Sequence, residues 1–482
     1  MIELAFRLGV RLTSEEDGLI VETSAGRRMA LRGLRGLEKA LGLLADGPAR
    51  LSDLLMQLDE VDLLGKEGRR LGRALLMLAR RQLIEFHHIS ETGVLLTAIP
   101  TGALASFDLD QLDIANSALM NAAETPVRYR LSRFACLHRV DDWLEIECPQ
   151  QSMRLTTKAP EIGAIVTALA DLKEPREIAS LAPGLGGALT QQSVAFLAAF
   201  GAAGPAGPDG RLDEDADPQL VQREFHDVLM HMQSRWGLTD APIGGTFRFA
   251  GSIAPSPAIK PRMADQVIEL AVPDMNAILN DDPPLGSVME KRRSIRTYGD
   301  MPVSKEQLGE FLFRVGRIRG LHKPKTDDPR HYEATVRTYP SGGAAYDLEI
   351  YVLANECSGL DRGFYHYEAA EHALSNIACA DSDIQSLLNA AYLANGRQVY
   401  PQLLFVICSR FSRLSWKYRG IAYATTLRNV GVLYEAMYLA ATAMKLAPCA
   451  LGGGDSAIVA AITSLNPLIE SSVGEFMLGT AA

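Results

Sequence analysis

Residues 292–298 place three guanidinium groups and the Ser294 hydroxyl within seven positions, shortly after the Pro283-Pro284 pair. We expect a helix to begin here. Arginine side chains bind phosphate through several N–H bonds at once, and the unpaired N–H groups of a helix start also favour an anion. The segment therefore predicts a phosphate site, with an exposed basic face as the alternative. The candidate ligands are Arg292, Arg293, Ser294 and Arg296.

Two glycine-rich turns are further candidates, because glycine allows a backbone to approach a flat ligand closely. A hydroxyl in the first turn could donate to a ring carbonyl. An ordinary loop is the alternative for the first turn, and a helix cap for the second, which follows a long helical pattern and precedes a strand-like tail. The turns contain Pro340, Ser341, Gly342 and Gly343, and Gly452 and Gly453.

Lys417 and Tyr418 are adjacent and could form an acid–base pair. An ammonium group beside a phenol favours the phenolate, which is a usable general base. We assign Tyr418 as the base and Lys417 as the group that tunes it, and the reverse assignment is open. A surface strand with a solvated lysine is the alternative.

Composition narrows the class of protein. The chain has 482 residues and a net charge of −10, which disfavours nucleic-acid binding. Its six cysteines form no CxxC pair, so we expect reduced thiols and a cytoplasmic location. Neither a signal-peptide pattern nor an apolar run of membrane-spanning length is present. His226 and His231 lack the i,i+4 spacing of a helical metal pair, and we predict no metal site.

The N-terminal half contains two segments with similar patterns. In residues 1–110, strand-like stretches at 3–11 and 18–30 precede helical runs at 37–44, 51–58 and 69–81. In residues 125–210, strand-like stretches near 128–138 and 143–156 precede helical runs at 162–172, 174–181 and 191–200. A β-hairpin with three short helices predicts two small winged-helix-like units, suited to peptide binding or to scaffolding.

The remainder, 220–482, is predicted to be an α+β domain. A helix is expected at 225–236, followed by an extended, Pro-rich stretch to 287. Helices are expected at 305–315 and 384–394, with strands at 348–354 and 403–409. Apolar residues from Leu427 to Ala441 recur with a period near 3.6 and predict a long buried helix.

Taken in order, these patches resemble the FMN-dependent nitroreductase superfamily, and within it the SagB-type azoline dehydrogenases of thiazole/oxazole peptide biosynthesis. The resemblance covers about Phe225 to the C-terminus. It is carried by Phe225-His226-Asp227, Ser234-Arg235, residues 292–298, Pro340–Gly343, Gly363-Phe364-Tyr365-His366-Tyr367, Lys417-Tyr418 and Leu451-Gly452-Gly453.

The resemblance implies FMN as the cofactor. Arg292, Ser294 and Arg296 would hold its phosphate and its ribityl/pyrimidine edge, the 340–343 turn would line the isoalloxazine, and Gly452 and Gly453 would lie near N5. It further implies a homodimer, Lys417 and Tyr418 as the catalytic motif, a heterocyclised peptide as substrate and a cyclodehydratase as partner. The expected reaction converts a peptide thiazoline or oxazoline to the azole.

One stretch departs from the family pattern. Relatives tend to have Gly-His-Leu-x-Gln-Asn on the long helix, where this chain has Gly431, Val432, Leu433, Tyr434, Glu435 and Ala436. Contacts from that helix are therefore in doubt. Two alternative functions stay open: an NAD(P)H-dependent nitro or quinone reductase, and a non-catalytic peptide-binding subunit.

Overall fold

A computed structural model of the protein describes residues 2–15, 18–23, 28–31, 36–59, 65–107, 127–242, 244–324 and 326–482. The chain divides into two compact units, Met1–Ala241 and Pro242–Ala482. The predicted boundaries near 110, 125, 210 and 220 stay predictions. Across the described helices, none is both long and apolar enough to cross a membrane.

The first unit contains both predicted sets of three helices, which are confirmed. Its helices are α1 (Glu38–Asp46), α2 (Leu51–Leu55), α3 (Lys66–Arg80), α4 (Pro160–Ala168), α5 (Pro175–Leu181), α6 (Gly186–Ala199), α7 (Asp213–Ala216) and α8 (Phe225–Gln233). Its strands are β1 (Ile2–Phe6), β2 (Arg11–Glu15), β3 (Gly18–Glu22), β4 (Arg28–Leu31), β5 (Ala49–Arg50), β6 (Ile84–Ser90), β7 (Gly93–Pro100), β8 (Tyr129–Leu131), β9 (Cys136–Val140), β10 (Trp143–Cys148), β11 (Met153–Thr157) and β12 (Ala203–Pro205).

One sheet runs through both N-terminal segments, in the order β5-β1-β6-β7-β11-β10-β9. The segments meet where β7 pairs with β11 in antiparallel register. Their cores also merge, because Phe86 of β6 packs against Phe200, which directly follows α6, with ring centroids 5.0 Å apart. The two segments therefore share one sheet and one hydrophobic core.

The second unit has the α+β content that the sequence predicts. Its helices are α9 (Met275–Asp281), α10 (Leu285–Lys291), α11 (Lys305–Gly316), α12 (Asp381–Ala394), α13 (Ser412–Ser415), α14 (Ala422–Ala443) and α15 (Ser456–Thr463). Its strands are β13 (Val267–Glu269), β14 (Val303–Ser304), β15 (Gly320–His322), β16 (Ala334–Val336), β17 (Leu348–Ala354), β18 (Cys357–Ser358), β19 (Gly363–Glu368), β20 (Ala373–Ile377), β21 (Leu403–Arg410), β22 (Leu446–Leu451) and β23 (Glu470–Thr480). The helices and strands predicted from 305 to 441 are confirmed.

A seven-stranded antiparallel sheet, ordered β13-β20-β19-β17-β21-β23-β22, forms the centre of this unit. Alternate residues of a strand point to opposite faces, so Ile350 and Val352 of β17 join the core under α11 and α14. Tyr351 and Leu353 join the core under α12 and α15. The sheet is thereby buried on both faces, and α14 lies along one of them.

Candidate functional site

Helix α14 contacts two of the predicted patches. Its Asn429 accepts a hydrogen bond from the Gly342 N–H at 3.0 Å, and its Tyr438 hydroxyl lies 2.7 Å from Ser294 Oγ. Nine residues separate these two side chains, which corresponds to about 14 Å along a helix axis. The buried helix thus sets the spacing between the glycine turn and the arginine segment.

The arginine segment does not begin a helix, and that prediction was wrong. Helix α10 starts after Pro284 but ends at Lys291, and residues 292–299 belong to neither a helix nor a strand. The reason is that backbone donors of this segment bond to strands instead: the Ile295 N–H donates to Pro448 O at 2.8 Å, and the Gly299 N–H donates to Thr480 O at 3.2 Å. Residues 292–298 consequently lack the favourable dipole of a helix N-terminus.

The charges of this segment are nevertheless available to a ligand. Within the described ranges, Arg292, Arg293 and Arg296 form no ion pair. The Arg292 guanidinium lies 5.2 Å from the centre of the Tyr438 ring, a cation–π contact that leaves its N–H groups open.

Two of these arginines line an open cleft of about 430 Å³. Four cationic side chains and one carboxylate surround it, which suits an anion. The sequence reasoning missed Lys445, because it lies about 150 residues away along the chain. It also missed Lys291, although this residue directly precedes Arg292. The lining residues are Glu290, Lys291, Arg292, Arg293, Ile295, Thr442, Lys445, Leu446 and Ala481.

Lys417 and Tyr418 lie in a turn after the short helix α13, not in a surface strand. The Lys417 ammonium donates to the Tyr332 hydroxyl oxygen at 2.9 Å and to the Gly343 carbonyl at 3.1 Å. It also lies 5.4 Å from the centre of the Tyr418 ring. The predicted pair therefore meets the first glycine turn, together with a tyrosine that the sequence reasoning did not identify.

The glycines of this first turn face protein. A Cβ at Gly342 would overlap Thr425 Cγ2, and a Cβ at Gly343 would overlap both Tyr418 Oη and Lys417 Nζ. Gly343 also has a φ of +60°, a conformation that side chains disfavour. Other atoms approach the backbone of these glycines closely, as expected. These atoms belong to α14 and to the Lys-Tyr pair.

Buried polar groups hold this turn in place. The Asn429 Nδ2 donates to Asp347 Oδ1 at 2.7 Å and to Ser341 Oγ at 3.1 Å. Asp347 is fully buried and also accepts from the Ser409 and Thr426 hydroxyls at 2.7 and 2.9 Å. This network fixes the turn to the helix and to β21. Asn429 has no sequence signal beyond being a polar residue within an apolar pattern.

The second glycine turn is open. Among the described residues, apart from the chain neighbours of each glycine, no heavy atom lies within 4 Å of a Cβ placed at Gly452 or Gly453. The turn ends β22 and is followed by α15, where Asp455 caps the helix by accepting from the Ala457 and Ile458 N–H groups. The sequence predicted only a strand-like tail at this point, so helix α15 was missed.

Helix α14 carries the departures from the family pattern on two faces. Val432 and Glu435 are exposed, so they do not pack under the glycine turn. Tyr434 is half-buried and lies against Gly474 of β23, where a Cβ would overlap its hydroxyl. Its hydroxyl therefore packs on the sheet.

The first unit brings together one group with metal-ligand chemistry, His138, Glu145 and Glu147. The Arg154 guanidinium lies 3.6 Å from Glu145 and acts as its counter-ion. Burial raises the pKa of the Glu147 carboxyl, and Arg154 opposes that rise. Arg154 also pairs with Asp240, at 3.0 Å. We assign no metal to this group.

The comparisons with known proteins agree with this architecture. Residues 289–480 match the model of the nitroreductase family, and residues 129–240 match the model of the cyanobactin oxidase ThcOx. A putative nitroreductase of Methanocaldococcus jannaschii is 28% identical over 185 residues, which are 38% of this chain and 84% of that protein.

Two proteins named for the processing of trifolitoxin and of microcin B17 are also similar. The trifolitoxin-processing protein TfxB of Rhizobium leguminosarum bv. trifolii is 29% identical over 32% of this chain and 43% of its own length. The microcin B17-processing protein McbC of Escherichia coli is 28% identical over 29% of this chain and 54% of its own length. The chain thus matches about half of each of these two proteins.

Among solved structures, the Escherichia coli microcin synthetase McbBCD complex with truncated pro-MccB17 bound contains a similar chain. It is 20% identical and covers 50% of this chain and 88% of that chain, with a TM-score of 0.33.

Proposed function

We propose that the chain, whose residues 289–480 match the nitroreductase family model, is an oxidoreductase that oxidises azoline rings of a ribosomally made peptide to azoles with FMN. One observation carries the proposal: helix α14 lines the mainly cationic cleft with Thr442 and, through Asn429, holds the glycine turn that contacts the Lys-Tyr pair. The match of residues 129–240 to the ThcOx model supports a peptide substrate.

The residues present fit FMN in two respects. The cleft beside Arg292 and Arg293 offers unpaired guanidinium groups and ammonium groups of the kind that bind a phosphate. Gly452 and Gly453 present open backbone to which a flat ring could be apposed. We assign the cleft to the phosphate, with Ser294 and Arg296 beside it, and the open second glycine turn to the ring. The contact between the ring and residues 340–343 stays a prediction.

The protein's task is to place the substrate and to move one proton. An azoline carbon between the C=N bond and the adjacent carbonyl is acidic, and we assign its proton to the Tyr418 oxygen. The Lys417 ammonium, held at the Gly343 carbonyl, would stabilise the negative charge on that oxygen. Bound FMN supplies the acceptor for the hydride that leaves the neighbouring ring carbon. Loss of a proton and a hydride gives the aromatic azole, and molecular oxygen is the proposed final acceptor.

A homodimer is part of the proposal. Tyr423 and Leu427 lie about one turn apart on α14 and are exposed, with 49% and 39% of their surface accessible. Such an exposed apolar pair suits contact with a second copy. We also propose that a cyclodehydratase supplies the azoline peptide. The cytoplasmic location stays a prediction.

The decisive experiment is an absorbance spectrum of the purified protein, followed by denaturing release of the cofactor and an assay with a thiazoline peptide. We expect stoichiometric FMN and azole formation. Lys417→Ala and Tyr418→Phe should retain FMN and lose turnover at least a hundredfold, because they remove the proposed base or the charge beside it. Full activity in both variants would refute the base assignment.

The cofactor site is tested separately. The double variant Arg292→Gln/Arg293→Gln should bind FMN at least tenfold more weakly, because two charge-assisted hydrogen bonds are lost. Arg362→Gln, an arginine whose partners are Asn355, Gln385 and Asp381, is the matched control and should bind FMN normally. If the purified protein neither contains FMN nor binds added FMN, the proposed FMN-dependent enzyme is excluded. If the protein reduces nitro compounds with NAD(P)H but oxidises no azoline, the reductase alternative is favoured.

A further inference from the structure

Tyr332 is placed against the Lys-Tyr pair by a loop that no sequence motif marks. The loop connects the paired strands β15 and β16. The Tyr332 hydroxyl donates to the Gly343 carbonyl at 2.9 Å and accepts from the Lys417 ammonium at 2.9 Å. A tyrosine from a distant part of the chain thus contacts the lysine and the glycine turn at once.

The directions of these hydrogen bonds follow from the donor inventory. A lysine ammonium has three N–H donors and no acceptor, so the Tyr332 oxygen must accept from it. The single proton of Tyr332 is then directed to the Gly343 carbonyl. Lys417 donates two of its three N–H groups to Tyr332 and Gly343. The third N–H group can donate to Tyr418 or to a substrate.

The ring of Tyr332 is also fixed. Its centre lies 5.7 Å from that of the Trp416 ring, in an edge-on arrangement. The Arg413 guanidinium lies 5.5 Å from the ring centre. This arginine is buried and donates to three backbone carbonyls, those of Ala345, Ser256 and Glu333, at 2.8, 2.6 and 3.1 Å. It therefore connects the residue after Tyr332 to the first glycine turn.

We infer that Tyr332 is a positioning residue of the catalytic centre, which holds the Lys417 ammonium against Tyr418 through its hydroxyl. The inference rests on the proposed function, because it assigns Lys417 and Tyr418 to catalysis. Removing the hydroxyl would leave the ammonium with the Gly343 carbonyl as its remaining partner among the described residues, so the ammonium would be held less firmly. The aromatic packing of the ring would be kept.

The test compares Tyr332→Phe with Tyr400→Phe, which removes a tyrosine hydroxyl bonded to Asn389 elsewhere in the same unit. We expect Tyr332→Phe to lower kcat for a thiazoline peptide about tenfold, the usual effect of one hydrogen bond to a charged group. KM, FMN content and Tm should stay at the wild-type values. Tyr400→Phe should match the wild type throughout.

A second measurement is independent of turnover. The rate at which an amine-reactive ester acylates Lys417, read by mass spectrometry at fixed pH, should rise about fivefold in Tyr332→Phe, because a held ammonium is released. If the wild-type protein oxidises no azoline, the proposed function fails and this rate decides the role of Tyr332 alone. An unchanged acylation rate, or a loss of kcat matched by loss of FMN and of Tm, would overturn the inference.

Discussion

At the first glycine turn, Gly342 and Gly343 face protein side chains, whereas at the second turn Gly452 and Gly453 face open space. Both turns have the same sequence signature and the same predicted role. In the first, the absence of a Cβ allows α14 and the Lys-Tyr pair to approach the backbone. In the second, it leaves backbone uncovered. Glycine at a candidate site can therefore serve internal packing or a ligand, and only the neighbours distinguish the two.

The largest expected effect comes from the residue that anchors the first turn. Asn429→Asp would place a carboxylate 2.7 Å from the buried Asp347 carboxylate, and the donors to Asp347 and Ser341 would be lost. We expect the free energy of unfolding at neutral pH to fall by about 3 kcal/mol or more. Urea denaturation measures this change. Asn389→Asp, at an exposed position on α12, is the control, and an equally small loss in both variants would break the comparison.

An intermediate effect is expected from filling the first turn. Gly342→Ala should lower the free energy of unfolding by about 1–3 kcal/mol, because the new methyl group collides with Thr425. The double variant Gly342→Ala/Thr425→Ala should recover part of that loss, since it removes Cγ2. Gly453→Ala, with no atom nearby, should change stability by less than about 0.5 kcal/mol. Equal losses at both turns would contradict the distinction between them.

The smallest effect concerns the buried carboxyl beneath the second turn. Glu475 lies against Gly454, and burial raises the pKa of its carboxyl, although the Ser472 hydroxyl opposes the rise. The unfolded chain therefore ionises at lower pH than the folded one, so stability falls as pH rises between these two values. Glu475→Gln should stabilise the protein at pH 7, and the gain should vanish at low pH. Chemical denaturation at several pH values measures the difference in the free energy of unfolding between Glu475→Gln and the wild type. A difference that does not change with pH would contradict this prediction.

Periodicity predicted the framework of the C-terminal half. The apolar repeat from Leu427 to Ala441 marked helix α14, and strand β17 was predicted with its observed bounds. Each of these elements buries a regular face, so the spacing of apolar residues in its own sequence predicts its structure. The prediction of a helix start at the arginine segment was wrong because the backbone N–H groups of this segment donate to Pro448 and Thr480, about 150 and 180 residues away. No local pattern reports such pairing.

The candidate site was predicted residue by residue, but its internal connections were not. Tyr332, Asn429 and Lys445 have no neighbouring motif, and each reaches the site only through tertiary folding. Whether the predicted ligands bind FMN is decided by the cofactor experiments, not by their placement.

The pairing of β7 with β11 makes the N-terminal half hard to dissect. A fragment ending before residue 127 would expose the β7 edge that β11 covers, and a fragment starting there would expose the β11 edge. Uncovered strand edges promote aggregation. Cutting the chain near residue 127 would also divide a hydrophobic core to which Phe86 and Phe200 both contribute. Peptide-binding studies on this half should therefore keep residues 1–241 together. A loss of binding in a single segment would reflect misfolding of that fragment and not the position of the binding site.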